Sequence, residues 1–77
     1  MSIAEQSKAA LRILYNSVGE DVSADCQVSD LVQALGLKGM EKQNLLMFMK
    51  DKGWINQRGV EVVALTFEGI AEAKRIG

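Results

Sequence analysis

The sequence predicts an α+β fold that is mainly helical, in which three helices are followed by a β-hairpin and a last helix. Before Gly53, apolar residues recur at spacings of three and four, which is the periodicity of amphipathic helices. After Gly53 the chain changes to β-branched and aromatic residues, and helical spacing returns beyond Thr66. The 77 residues, 48% of them hydrophobic, are expected to form one domain over residues 1–77.

The first predicted helix runs from Ile3 to Val18. Leu11, Leu14 and Val18 repeat at three- and four-residue spacing, and they therefore share one face. The stretch that follows, Glu20–Gln27, is polar and acidic and predicts a loop.

The second predicted helix begins at Ser29, whose hydroxyl suits the N-cap position, with Asp30 in the first turn. Its apolar side is expected to consist of Leu31, Val32 and Leu35. Gly36 is expected to end the helix in the left-handed conformation, which glycine adopts without steric cost.

The third predicted helix extends from Met40 to about Lys52 and contains five consecutive apolar residues, Leu45–Met49. A rotation of about 100° per residue spreads such a run around the whole circumference of the helix. The core side is expected to hold Leu45, Leu46 and Met49. Met47 then points nearly opposite, and Phe48 lies at the edge between the two sides. The sequence leaves open the alternative that Met47 and Phe48 pack under the first helix or the hairpin as core residues.

The stretch from Trp54 to Thr66 is rich in strand formers and predicts a hairpin, with Arg58-Gly59 as its tight turn. Thr66 is expected to cap the last helix, because a threonine hydroxyl can accept from a free amide of the first turn. The buried side of that helix is expected to hold Phe67, Ile70, Ala71 and Ile76.

Three segments carry patterns that occur together in one known family: VSDLVQALGL at 28–37, LLMFMKDKGWI at 45–55 and LTFEGIAEAKRI at 65–76. In that order, they resemble three parts of winged-helix (winged helix-turn-helix) regulators: the second helix and its turn, the end of the third helix with the entry to the wing, and the segment after the wing. The resemblance covers nearly the whole chain. It implies a three-helix bundle, a two-stranded β-hairpin wing and a C-terminal helix, with Trp54 packed beneath the wing.

Composition excludes several kinds of site. Cys26 is the single cysteine and histidine is absent, so neither an intrachain disulfide nor a Cys/His zinc site can form. Histidine is also the commonest general base, and we find no nucleophile–base spacing and no phosphate-binding glycine loop. We therefore expect a protein that is not an enzyme, binds no cofactor and carries an unreactive thiol at Cys26. The sequence shows no signal-peptide pattern and no apolar run of about 20 residues, so a cytoplasmic protein without a membrane partner is expected.

Double-stranded DNA is the partner that the resemblance implies for the third helix, which lies in the major groove in this family. Gln43 and Asn44 could pair with adenine, while Lys38 or Lys42 could contact guanine or phosphate. Arg58 would add a phosphate contact from the hairpin. From residue 38 to residue 58, five basic residues stand against two acidic ones, although the net charge of the chain is −1. The leading hypothesis is a regulatory module that binds DNA, with a dimer doubling the contacts.

A protein partner is the alternative hypothesis. Met40, Met47 and Phe48 exceed the apolar residues that the core side of the third helix needs, and exposed Met and Phe are enriched at protein interfaces. The acidic net charge and the short hairpin also count against DNA. These features predict a homodimer or a protein-interaction domain that does not bind DNA.

Overall fold

Four helices and a small antiparallel sheet make up residues 2–76, the part of the chain that the computed structural model describes. The elements in chain order are α1 (Ile3–Val18), β1 (Cys26–Gln27), α2 (Val28–Leu35), α3 (Glu41–Asp51), β2 (Ile55–Gly59), β3 (Val62–Leu65) and α4 (Phe67–Ile76). The predicted α+β, mainly helical class is confirmed. Within the described range, none of the helices has the length and apolar character that a bilayer crossing requires.

The sheet has three strands in the order β1-β3-β2, whereas the sequence predicted a two-stranded hairpin. Cys26 pairs with Val63, and Gln27 pairs with Val62. The end of the predicted Glu20–Gln27 loop is therefore a short strand. Two residues are too few for the alternation that marks a strand in a sequence. This strand is defined by its pairing with β3, which the sequence does not show.

The turn of the β2–β3 hairpin lies at Val60 and Glu61, so the prediction of an Arg58-Gly59 turn was wrong. The strand register shifts between Gln57 and Gly59, where a bulge keeps Arg58 and Gly59 within β2. Arg58 consequently lies on the side of the hairpin and not at its tip.

The start of α2 also differs from the prediction, because Ser29 is not its N-cap. The cap residue is Gln27, which makes no capping hydrogen bond with its side chain. Instead, the backbone N–H of Val28 donates to the carbonyl of Glu61 at 2.9 Å, so the hairpin satisfies a free amide at this helix start. At the other end, Gly36 has the predicted left-handed conformation, with φ 64° and ψ 38°.

The core forms where the helices meet the inner face of the sheet. Its largest fully buried apolar side chains are Leu11, Val28, Leu31, Leu45, Met49, Val63 and Leu65. Burial of a side chain of this size contributes roughly 1.5–3 kcal/mol to folding. Ser7 is the buried polar residue of α1, and its hydroxyl donates to the carbonyl of Ala4 at 2.7 Å.

Thr66 and Gly69 fix α4 to the base of the hairpin. The Thr66 hydroxyl accepts from the Gly69 N–H at 2.9 Å and donates to the Gly53 carbonyl, so the predicted helix cap is confirmed. At Gly69, a Cβ would lie 3.0 Å from the carbonyl carbon of Trp54 and still closer to its oxygen. The threonine and the glycine of the LTFEG segment therefore have separate structural reasons, one as a cap and one as a point of close approach.

The buried face of α4 was predicted only in part. Gly69, Ile70 and Ala73 are its buried residues. Phe67 and Ala71, which were predicted to be buried, are both exposed, Phe67 to 74%. These two residues are four positions apart and share one side of the helix, and the approach of Gly69 to Trp54 turns that side outward.

Candidate functional site

The candidate site is built on α3, which packs against α1 and adjoins β2. Leu45 and Met49 are fully buried and Leu46 is half-buried, which confirms the predicted core side of this helix. The opposite side points away from the protein. Its exposed residues, which we call the outer face of α3, are Met40, Gln43, Asn44, Met47 and Asp51.

Two methionines form the apolar part of the outer face. Met40, the N-cap residue of α3, is 62% exposed, and Met47 is 61% exposed. A separation of seven residues is about two helical turns, so the two side chains project on the same side roughly 10 Å apart along the axis. The sequence left open whether Met47 is exposed or part of the core, and the structure shows it exposed.

Gln43 and Asn44 are the uncharged polar residues of the outer face and lie between the two methionines. Both side chains are exposed. Within residues 2–76, the side-chain hydrogen bonds of α3 come from Glu41, Lys42 and Lys50. The two amides therefore keep their donors and acceptors free for a partner outside the described chain.

Lys42 and Arg58 are held by carboxylates of the protein itself. Nζ of Lys42 lies 2.7 Å from Oε1 of Glu61 in the hairpin turn, and Nε of Arg58 lies 3.2 Å from Oδ1 of Asp25, just before β1. With these two carboxylates added to the two within residues 38–58, four carboxylates oppose five basic side chains. The local excess of positive charge falls from three to one.

The other three basic residues of this region are Lys38, Lys50 and Lys52, and none of them takes part in an ion pair among the described residues. Nζ of Lys50 donates to Oε1 of Gln57 at 3.3 Å. Nζ of Lys52 lies 5.4 Å from the centre of the Phe48 ring. Because these partners are neutral, the positive charges of the lysines are available to an anionic partner.

Similarity to known proteins gives no independent information about this surface. Known protein families, curated proteins and solved structures give no significant match to the chain. The roles considered for α3 consequently rest on the position, charge and exposure of its side chains.

Phe48 lies at the edge of α3, as predicted, and packs on Trp54. The two ring centroids are 6.1 Å apart and the ring planes are inclined by 68°, which is an edge-to-face pair. Both side chains are half-buried, and Trp54 also packs against the core. Phe48 therefore belongs to the contact between α3 and the base of the hairpin. Of the three residues predicted for a protein interface, Met40 and Met47 are the exposed ones.

Cys26 is buried in β1. Burial raises the pKa of the Cys26 thiol, and the carboxylates of Asp25 and Asp30 raise it further. A raised pKa keeps the thiol protonated at neutral pH, and the protonated form is a poor nucleophile. This environment agrees with the expectation of an unreactive cysteine.

Glu61 and Asp25 are the residues of this region whose contacts the sequence did not reveal. Glu61 lies 19 positions after Lys42, and no spacing rule links residues so far apart. The sheet brings them together, because β3 pairs with β1 and the hairpin turn then lies against the start of α2. The sequence had placed Asp25 only among the acidic residues of a loop.

Proposed function

We propose that this chain is a winged-helix domain that binds double-stranded DNA through the outer face of α3. The observation that carries the proposal is the exposure of Gln43 and Asn44 in the first half of α3, with neither side-chain amide hydrogen-bonded to any residue between 2 and 76. In helix-turn-helix proteins the N-terminal residues of the recognition helix contact base edges. An amide side chain can bond the N6 and N7 atoms of adenine at once, so it can read a base directly.

The order of the elements supports the winged-helix part of the proposal. Three helices precede the β2–β3 hairpin, and β1 joins the sheet beside β3. In this arrangement the hairpin would serve as the wing, and it lies next to α3 through the contact of Lys50 with Gln57. A helix and a hairpin on one side of a domain can approach a major groove and the adjoining backbone together.

The charges around α3 favour modest affinity for the DNA backbone. Lys38 and Lys50 lie at opposite ends of the helix and can each contact phosphate, whereas Asp51 on the outer face opposes it. Each phosphate contact contributes a salt-dependent share of the affinity. Met40 and Met47 suit apolar contact with thymine methyl groups. Recognition would therefore depend more on the bases than on phosphate.

The direct test is a titration of a random-sequence duplex at low salt. We expect the Lys38→Gln/Lys50→Gln double variant to bind about tenfold more weakly than the wild type, because two phosphate contacts are lost. The matched control is Lys8→Gln/Arg12→Gln, which removes the same charge from exposed positions of α1 that take part in no ion pair among residues 2–76. Absence of wild-type binding at the lowest salt, or equal losses in the two double variants, would contradict the proposal.

A selection from a random duplex pool tests the role of the amides. We expect Gln43→Ala/Asn44→Ala to bind random duplex much as the wild type does, but to lose its preference for the selected sequence. Each bidentate base contact is worth about 1–3 kcal/mol of discrimination. A variant that keeps the wild-type preference would show that these amides do not read bases.

Self-association through the same face is a second candidate, and the exposure of Met40 and Met47 favours it. Methionine adapts its shape to an opposing surface, which suits a face with little net charge. Sedimentation velocity up to near-millimolar concentration is then expected to show a wild-type dimer and a monomeric Met47→Glu variant. Val60→Glu is the control, because Val60 is 92% exposed in the hairpin turn, outside α3. A wild type that stays monomeric throughout excludes this candidate.

A further inference from the structure

We infer that Glu61 and Asp25 compete with DNA phosphates for Lys42 and Arg58, and that they thereby weaken binding to DNA of any sequence. The inference rests on the proposed DNA binding by α3 and concerns the regulation of its strength. It follows from two ion pairs that occupy two of the five basic residues in and around α3.

The two ion pairs have the same arrangement. Each joins a basic residue from α3 or β2 to a carboxylate from a different part of the chain, Glu61 in the hairpin turn or Asp25 before β1. The Lys42 and Arg58 side chains are 33% and 44% exposed, so an external anion can reach them. Neither residue is on the outer face, because Lys42 is three positions before Leu45 on the core side of α3 and Arg58 is in β2, so the phosphates that they meet would flank that face. The carboxylates are about half exposed and lie beside the same cations, so an approaching phosphate meets a negative charge at each position.

Energetics favour competition over a permanent lock. An exposed ion pair is worth only about 0–1 kcal/mol, so a phosphate can displace the carboxylate without unfolding any element. After displacement, however, the freed carboxylate remains near the phosphate and repels it. A cation that is neutralised within the protein also releases fewer DNA counterions, and counterion release is the main source of sequence-independent affinity. Gln43 and Asn44 are unaffected by either pair, so their base contacts keep their full value.

The experiment is a salt titration of a random-sequence duplex with wild type, Glu61→Gln and Asp25→Asn. We expect each variant to bind about three- to tenfold more tightly at 50 mM salt, because each frees one cation for phosphate. The plot of log K against log salt concentration is expected to steepen by about 0.9 for each variant. Between 50 and 200 mM salt, that slope corresponds to roughly threefold more loss of affinity than in the wild type.

The matched control is Glu20→Gln. It also removes one negative charge and breaks an exposed ion pair, in which Oε1 of Glu20 lies 2.9 Å from Nζ of Lys74. That pair includes no residue of α3 or of the hairpin. Circular dichroism melts of all variants check that they are folded. We expect them to be, because the loss of an exposed ion pair costs at most about 1 kcal/mol.

A double variant tests whether Glu61 acts through Lys42. In a Lys42→Gln background, Glu61→Gln is expected to raise the affinity clearly less than it does in the wild type, because only the direct repulsion of phosphate by Glu61 is then removed. A gain as large as in the wild type would overturn the inference, because the carboxylate would then act only through its own charge.

The outcomes separate the inference from the proposed function. If the wild type binds duplex DNA and Glu61→Gln and Asp25→Asn behave like Glu20→Gln, the inference is wrong and the proposed function stands. If neither the wild type nor any variant binds at the lowest salt, the proposed function fails and the inference fails with it. Steeper salt dependence in Glu61→Gln and Asp25→Asn, but not in Glu20→Gln, supports both.

Discussion

Replacement of Gly69 by alanine is expected to destabilise the folded domain by about 1–3 kcal/mol, because the added methyl group overpacks a site closed by backbone. The Cβ would lie 3.0 Å from the carbonyl carbon of Trp54 and 3.2 Å from its Cα, and backbone atoms cannot rotate away as a side chain can. To relieve the contact α4 must shift, which strains the bond from the Thr66 N–H to the Trp54 carbonyl, now 3.0 Å long. Urea denaturation followed by circular dichroism measures the change.

The sign of the Gly69→Ala effect is itself informative. In an unobstructed helix, alanine is more favourable than glycine by about 1 kcal/mol. A stabilised variant would therefore mean that α4 does not approach Trp54 so closely. Gly59→Ala is the matched control, since a Cβ there meets only the Val62 side chain at an ordinary 3.5 Å. We expect that control to change the free energy of unfolding by less than about 1 kcal/mol.

Truncation of Leu45 to alanine is expected to cost about 3 kcal/mol of stability, whereas truncation of Met47 is expected to cost almost nothing. Leu45 is fully buried, and its removal loses transfer energy and leaves a cavity. Met47 lies two positions further along α3 and is 61% exposed, so its removal uncovers no core. Thermal and urea unfolding of the two variants, measured side by side, give the comparison.

Equal losses for Leu45→Ala and Met47→Ala would contradict the orientation of α3. The pair also bears on function, because a stable Met47→Ala protein allows the outer face to be altered without loss of the fold. Changes in DNA binding or self-association of Met47→Ala could then be assigned to that face.

The helical part of the fold could be predicted because its signals are local. Leu11, Leu14 and Val18 repeat on one face of α1, and Gly36 ends α2 in the conformation that the sequence indicated. For the apolar run at 45–49, the rotation of the helix places Met47 opposite to the core once Leu45 and Met49 are buried. Such patterns need no knowledge of the rest of the chain.

The sheet and the start of α2 could not be predicted because they depend on contacts distant in the sequence. β1 is defined by pairing with β3, and α2 begins at Val28, whose amide donates to the Glu61 carbonyl, and not after the predicted cap at Ser29. The position of the hairpin turn depends on a bulge that changes the register after Gln57. Phe67 is an apolar residue at the start of α4, yet the approach of Gly69 to Trp54 leaves it outside.

The candidate site shows the same division. Exposure of Met40, Gln43 and Asn44 follows from the helical rotation, and the structure bears it out. The basic excess on and near α3 could be counted from the sequence, but the ion pairs that reduce it could not. Lys42 and Arg58 appeared as free cations until the fold placed carboxylates beside them.

The arrangement of the strands also has a consequence for aggregation. β1 and β2 are the two edges of the sheet, and an unpaired edge can template strand addition by another molecule. β1 offers only two residues, and β2 is interrupted by its bulge. The Gln57 side chain further occupies the carbonyls of Gly59 and Val60 near the end of β2. Neither edge is a regular template for another strand. A high concentration of this protein is therefore not expected to favour growth of an intermolecular β-sheet.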